Sequence, residues 1–103
     1  MRTIGMIALL LLLAAAAPAL AGGDAERGMA LSEDCAMCHG DNGEGDGGDS
    51  PAIAGMDEGE HVAALKAYAS GERADPSEMM ADYAAALSEQ DMADLAAYYA
   101  SLK

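Results

Sequence analysis

The sequence predicts an all-α domain, and three observations carry that prediction. Apolar residues recur at helical spacing behind plausible capping residues, most clearly from Asp57 and again from Ser88. No stretch reads as strand. The third observation is compositional. The 103 residues contain no Phe and no Trp, the only aromatics are four Tyr, and the aliphatic residues are mostly Ala. Helices built from these side chains alone leave an underfilled core, so something large and apolar has to occupy the centre.

The run Cys35-Ala36-Met37-Cys38-His39 says what that is. Two thiols at this separation can each add to one vinyl group on a haem edge, and the histidine that follows then lies over the iron as an axial ligand. These are the only two cysteines. A redox-active Cys-x-x-Cys wants a βαβ setting, which is missing. A structural zinc site wants four ligands, and only Cys35, Cys38, His39 and His61 exist, with His61 in a separate helical pattern. A plain disulfide would not explain His39. The expected cofactor is one covalently attached haem c with its iron.

Residues 1–21 read as a secretory signal peptide. Met1-Arg2 precedes an almost wholly apolar run, and Ala19-Leu20-Ala21 is a small-x-small cleavage signature. An uncleaved membrane anchor is the rival, since Ile4 to Ala21 is just long enough, but Pro18 and the Ala-x-Ala end favour cleavage after Ala21. Residues 22–103 then form one domain. A chain of about 80 residues is marginal alone, which makes folding dependent on haem. Haem c is attached outside the cytoplasm, so the expected compartment is a bacterial periplasm, with no stable membrane insertion after cleavage. Once the leader is gone, Arg27, Lys66, Arg73 and Lys103 face 18 acidic residues. Nucleic acid and anionic membrane are poor partners. A basic protein partner would be steered in, and a solubility adaptation to a saline habitat explains the charge equally well.

In chain order, residues 24–34 predict a first helix, capped by Asp24 with Glu26 in its first turn. Gly28, Leu31 and Cys35 share a face, and an interior glycine signals close approach by another element. Residues 40–50 hold no apolar side chain and read as a flexible, solvated loop; the EF-hand order is not met, because Gly43 and Gly45 stand at ligand positions. Pro51 follows. Its carbonyl is the candidate partner for the second ring nitrogen of His39, since a ligating histidine gives its other N–H to an acceptor.

Residues 57–70 predict a second helix, capped by Asp57 and stopped by Gly71, with Val62, Leu65, Tyr68 and Ala69 as its apolar stripe. His61, beside that stripe, reads as a packing or solvent-side histidine. Arg73, in a turn over residues 72–76, is either a lone surface charge or a partner for a haem propionate. Residues 77–83 form a short segment that should supply the sixth ligand. A thioether opposite an imidazole raises the reduction potential. Adjacent helical residues point about 100° apart, so only one of Met79 and Met80 faces the iron. Tyr83 and Ala84 share the side of Met80. Residues 88–103 predict the last helix. Ser88-Glu89-Gln90-Asp91 starts it like a capping box, and Met92, Leu95, Ala96, Tyr99 and Leu102 follow helical spacing. Tyr98 or Tyr99 should pack on Gly28, closing the terminal helices over a haem edge.

Taken together these residues resemble a class I c-type cytochrome of the cytochrome c4 and c553 group. The resemblance covers residues 24–103. It rests on Cys-Ala-Met-Cys-His-Gly, Pro51-Ala52-Ile53-Ala54-Gly55, Tyr68-Ala69-Ser70-Gly71-Glu72-Arg73, and Leu87-Ser88-Glu89-Gln90-Asp91 leading to Leu95-Ala96-Ala97-Tyr98-Tyr99. It implies a small monohaem cytochrome c fold whose terminal helices cross over the haem. The family's axial methionine, seven residues before the leucine of the Leu-Ser pair, falls on Met80. Its proline falls on Pro51 and its interhelix aromatic on Tyr98. A single motif implies a single haem, without the second haem domain of cytochrome c4. Ile53-Ala54-Gly55-Met56 and Ser70-Gly71-Glu72-Arg73 are also similar to the haem subunit of flavocytochrome c sulfide dehydrogenase.

The implied function is a periplasmic one-electron carrier and not an enzyme in itself. Its iron would cycle between Fe(II) and Fe(III) with His39 and Met80 as axial ligands, serving a flavoprotein dehydrogenase or a terminal oxidase. The alternatives are a haem subunit that takes electrons from a flavoprotein oxidising sulfide, and a ligand sensor with an open sixth site.

Overall fold

The computed structural model describes residues 22–102, and the expected signal peptide at 1–21 lies outside them. Five helices form, with no strand among the described residues: α1 (Ala25–Leu31), α2 (Glu33–His39), α3 (Glu58–Ser70), α4 (Met79–Ala85) and α5 (Glu89–Ala100). None of them is long and apolar enough to cross a membrane.

The first helix does not run through to residue 34. Asp24 caps it as expected, accepting from the N–H groups of Glu26 and Arg27 at 3.0 and 3.2 Å. At Ser32 the backbone N–H and the side-chain hydroxyl both turn back to the Met29 carbonyl, at 3.2 and 2.7 Å. A serine hydroxyl competes with the helical ladder in this way, and the ladder breaks. The Ser32 carbonyl then accepts from Ala36 at 2.9 Å and starts a new turn. The two cysteines and His39 therefore sit on their own short helix, α2.

α1 and α5 dock backbone to backbone. A Cβ at Gly28 would lie 1.9 Å from the Asp94 carbonyl oxygen and 2.8 Å from the Tyr98 Cβ. The expected contact with an α5 tyrosine thus falls to Tyr98. Tyr99 turns inward, 1 % exposed, with its ring 5.0 Å edge-on from that of Tyr98. A buried carboxylate ties the clasp. Asp94, 1 % exposed, accepts from the Asp24 N–H (2.7 Å), Gln90 Nε2 (2.9 Å) and Arg27 Nη1 (2.5 Å). Burial works against its ionised form, but these bonds outweigh burial and hold the carboxyl below its ordinary value. Arg27 also pairs with Asp91 at 3.0 Å.

The Ser88–Asp91 capping box is present in full at the start of α5. The helix ends at Ala100 instead of running to 103, because the Ser101 hydroxyl turns back to the Tyr98 carbonyl. Met92, Leu95, Ala96 and Tyr99 form its buried face. That face meets α3 and α4 in a core of Leu65, Ala84 and Met92, flanked by Val62, Tyr68, Met80 and Leu87. α3 is capped by Asp57 and stopped by left-handed Gly71. Ala69, expected in its stripe, is exposed, and His61 is buried in the packing.

Residues 40–50 are more than a solvated loop. Gly43, at φ 71°, is buried with its backbone against Tyr99; a Cβ there would lie 2.8 Å from the ring. Its carbonyl accepts from both Ile53 and Ala54, at 2.8 and 2.9 Å, and the Gly45 N–H bonds the His39 carbonyl at 2.6 Å. Without side chains to bury, the segment packs through its backbone, which glycine alone allows at this distance.

Candidate haem site

α2 to α5 and the segment around Pro51 wall a cavity of about 380 Å3, within the usual range for cofactor clefts. Cys35, half-buried, and Cys38, exposed, are free thiols on its rim. Burial, with the Asp34 charge adding to it, pushes the Cys35 thiol up.

His39 lies in the same wall, 8 % exposed, with Nδ1 2.7 Å from the Pro51 carbonyl oxygen. A carbonyl only accepts, so Nδ1 carries the proton and donates. Of the two neutral tautomers, this bond selects the one whose lone pair is on Nε2. The contact expected between His39 and Pro51 is made.

Met79 and Met80 also line the cavity, but differently. Met80 is half-buried and packs against the core cluster, whereas Met79 is 47 % exposed. Of the two residues expected on the side of Met80, Ala84 is fully buried and Tyr83 sits at the rim, 40 % exposed. Asp75 fixes this segment. Its Oδ2 accepts from the Met80 N–H at 3.1 Å and the Ser77 hydroxyl at 2.9 Å, and its carbonyl accepts from Glu78 N–H at 2.9 Å. The Met80 N–H, with Ser77 and Met79 adding to it, holds the Asp75 carboxyl below its usual range. Glu78 is left-handed, φ 62°, and is the one non-glycine with positive φ among the described residues. The cap position of α4 is thus strained.

Among the described residues, two buried polar atoms on side chains that line this cavity have no hydrogen-bond partner, His61 Nδ1 and Tyr99 Oη. The rings lie 5.7 Å apart. The Tyr99 hydroxyl sits beside Ser32 and Cys35 without good geometry to either, and burial raises its pKa. Burial, with His39 nearby, pushes the His61 imidazole down from 6.5. Arg73 lies over the Tyr68 ring, 5.0 Å from its centre, and lines the cavity, so it is not merely a solvated charge.

These residues fit a haem. The walls are largely apolar, two thiols stand at the rim, and an imidazole nitrogen and a thioether offer the axial donors that iron takes in cytochromes. Sequence reasoning missed two contributors, Asp75 and the stacking of Arg73 on Tyr68; His61 takes the packing position, one of the two readings open to it. A capping Asp before the methionine pair was the one signal that could have found Asp75.

Comparison with known proteins points the same way. The cytochrome c family profile matches residues 25–103. Cytochrome c-554(547) of Halothiobacillus neapolitanus is 41 % identical over 91 residues, covering 79 % of this chain and 99 % of that protein. Cytochrome c-554(548) of Halomonas halodenitrificans is 36 % identical over 80 residues, covering 77 % and 96 %. Cytochrome c4 of Pseudomonas aeruginosa is 36 % identical over 98 residues, covering 95 % of this chain and 48 % of the relative, so the chain spans about half its length. Among solved structures, thiosulfate dehydrogenase TsdBA of Marichromatium purpuratum superposes with a TM-score of 0.73 at 33 % identity, over 88 % of this chain and 22 % of that one. Cytochrome c4 of Acidithiobacillus ferrooxidans gives 0.72 at 28 %, over 82 % and 53 %. The chain belongs to the cytochrome c family, in the class I cytochrome c4 group, whose members hold covalently attached haem c and pass electrons between redox partners.

Proposed function

We propose that this chain is a periplasmic one-electron carrier that holds one haem iron between His39 and Met80. The observation that carries this reading is the bond from His39 Nδ1 to the Pro51 carbonyl, which leaves Nε2 for the metal. When bound, haem c supplies an Fe(III)/Fe(II) couple. Cys35 and Cys38, free thiols at the cavity rim, would hold the group by thioether bonds. Asp75 holds the Met80 segment, and the Met80 thioether would be the second donor to the iron, excluding water and small ligands, which argues against a sensor. Met79 is left at the surface. Arg73, braced on Tyr68, would neutralise a propionate at the edge of the group. The apolar leader at 1–21, cleaved after Ala21, would place the protein in the periplasm.

The test is a visible spectrum of the purified protein in both redox states, with a pyridine haemochrome assay, on wild type and Met80→Ala. We expect one haem c per chain, a lower potential in Met80→Ala and loss of the sulfur-to-iron charge-transfer band. An unchanged spectrum and potential in Met80→Ala would overturn the ligand assignment.

The likeness to thiosulfate dehydrogenase TsdBA favours a second reading, a haem domain serving a larger oxidoreductase, with a flavoprotein dehydrogenase as one such partner. Stable co-purification with a dehydrogenase selects it. A lone soluble monomer selects the free carrier, whose acceptor would be a protein such as a terminal oxidase.

A further inference from the structure

A second concavity opens beside the cavity mouth. It is lined by Asp34, Met79, Asp82, Tyr83 and Ala86. Asp34, Met79 and Tyr83 belong to both, so an occupant of this groove touches the wall of the cofactor cavity. The groove pairs two carboxylates with two exposed apolar side chains, Met79 at 47 % and Tyr83 at 40 %. Asp34 has a local role in the first turn of α2. That role does not account for the exposed thioether and phenol ring beside it.

The cations among the described residues do not answer these carboxylates. Among the described residues, Arg27 pairs with Asp91 and Asp94, Lys66 with Glu89, and Arg73 lies over Tyr68. Asp34 and Asp82 make no ion pair there.

We propose that this groove receives a lysine or arginine side chain from a basic redox partner protein, beside the wall of the haem cavity. The proposal rests on the reading of the site as a haem-based electron carrier. The cationic head meets Asp34 and Asp82 and the face of Tyr83, and its methylene stem lies on Met79. The net charge of −13 draws such a partner in from a distance, and the groove sets where it lands. An acidic partner is repelled at the same place.

The test uses the haem-loaded protein and tetralysine as probe, followed by NMR. The haem spectrum is recorded first, so failure of the haem reading is seen before any titration. We expect shift changes to concentrate on the Met79 methyl and the Tyr83 ring. Asp34→Asn with Asp82→Asn should weaken tetralysine binding at least fivefold. Asp41→Asn with Glu72→Gln removes equal charge outside the groove and should weaken it less than twofold. Electron transfer from the reduced protein to a lysine-rich redox protein should slow in the groove variant and not in its control. Shifts centred on residues 40–50, equal weakening in both double variants, or concentration-dependent self-association through this face would overturn the proposal.

Discussion

The clasp between α1 and α5 and the segment carrying Met79 and Met80 are held by different means. In the clasp, backbone meets backbone at Gly28, both helices have side-chain caps, and buried Asp94 has three partners. Its buried carboxylate is satisfied within the chain. The methionine segment has a strained Glu78 and no side-chain cap on α4; Asp75 fixes its start, and Ala84 anchors it in the core. A helix of seven residues, α1 as much as α4, has almost no stability of its own, so what holds each one decides. The clasp is specified by the chain, while the methionine segment depends on what it faces.

The largest break in this contrast should come from the cofactor. With Cys35→Ala and Cys38→Ala together, we expect loss of helical circular dichroism and rapid proteolysis across both regions, because the remaining core is too small. A compact helical apoprotein would show that the clasp stands without haem. Next in size is Gly28→Leu. Its side chain collides with the Asp94 peptide, and we expect about 3 kcal/mol of destabilisation by urea titration, with the haem spectrum retained. Asp75→Ala should do the reverse. Its effect on the urea midpoint is smaller than that of Gly28→Leu. The sulfur-to-iron band, in contrast, should fade at lower temperature as the Met80 segment loosens.

The smallest effect concerns pH. Burial holds the His61 pKa below the 6.5 of an unfolded chain, so the unfolded state takes up the proton first. The stability tied to neutral His61 is present above 6.5 and is lost as pH falls through the window between 6.5 and the lower folded value. His61→Leu should therefore flatten the fall in urea midpoint below pH 6.5. An identical slope in the variant would show that His61 does not titrate with unfolding.

What the sequence revealed, and what it hid, follows the same division. Residues whose chemistry is local were legible: the thiol spacing with His39, the caps at Asp24, Asp57 and Ser88, and the bare Gly28. The His39–Pro51 contact was legible because an imidazole expected to ligate wants an acceptor for its other N–H. The break at Ser32 was hidden, since a serine in a helical run reads as tolerable until its hydroxyl finds the Met29 carbonyl. Asp94 was hidden because its partners, Asp24 and Arg27, lie 70 and 67 residues away. His61 was left between packing and solvent because a polar residue beside an apolar stripe can go either way, and the structure buries it. The packing of residues 40–50 was hidden because a glycine buries backbone, which hydrophobic patterning does not count.

The docking of α1 also bears on the order in which the molecule is made. Gly23, like Gly28, has no room for a side chain; a Cβ there would lie 1.9 Å from the Ala93 carbonyl oxygen. Both glycines therefore wait for the middle of α5, some 70 residues downstream by the span of the Asp24–Asp94 bond. The attachment motif follows α1 directly and is synthesised long before that partner exists. On the proposed assignment, the thiols of that motif would be made before the helix that closes the clasp, so haem attachment would not have to wait for it.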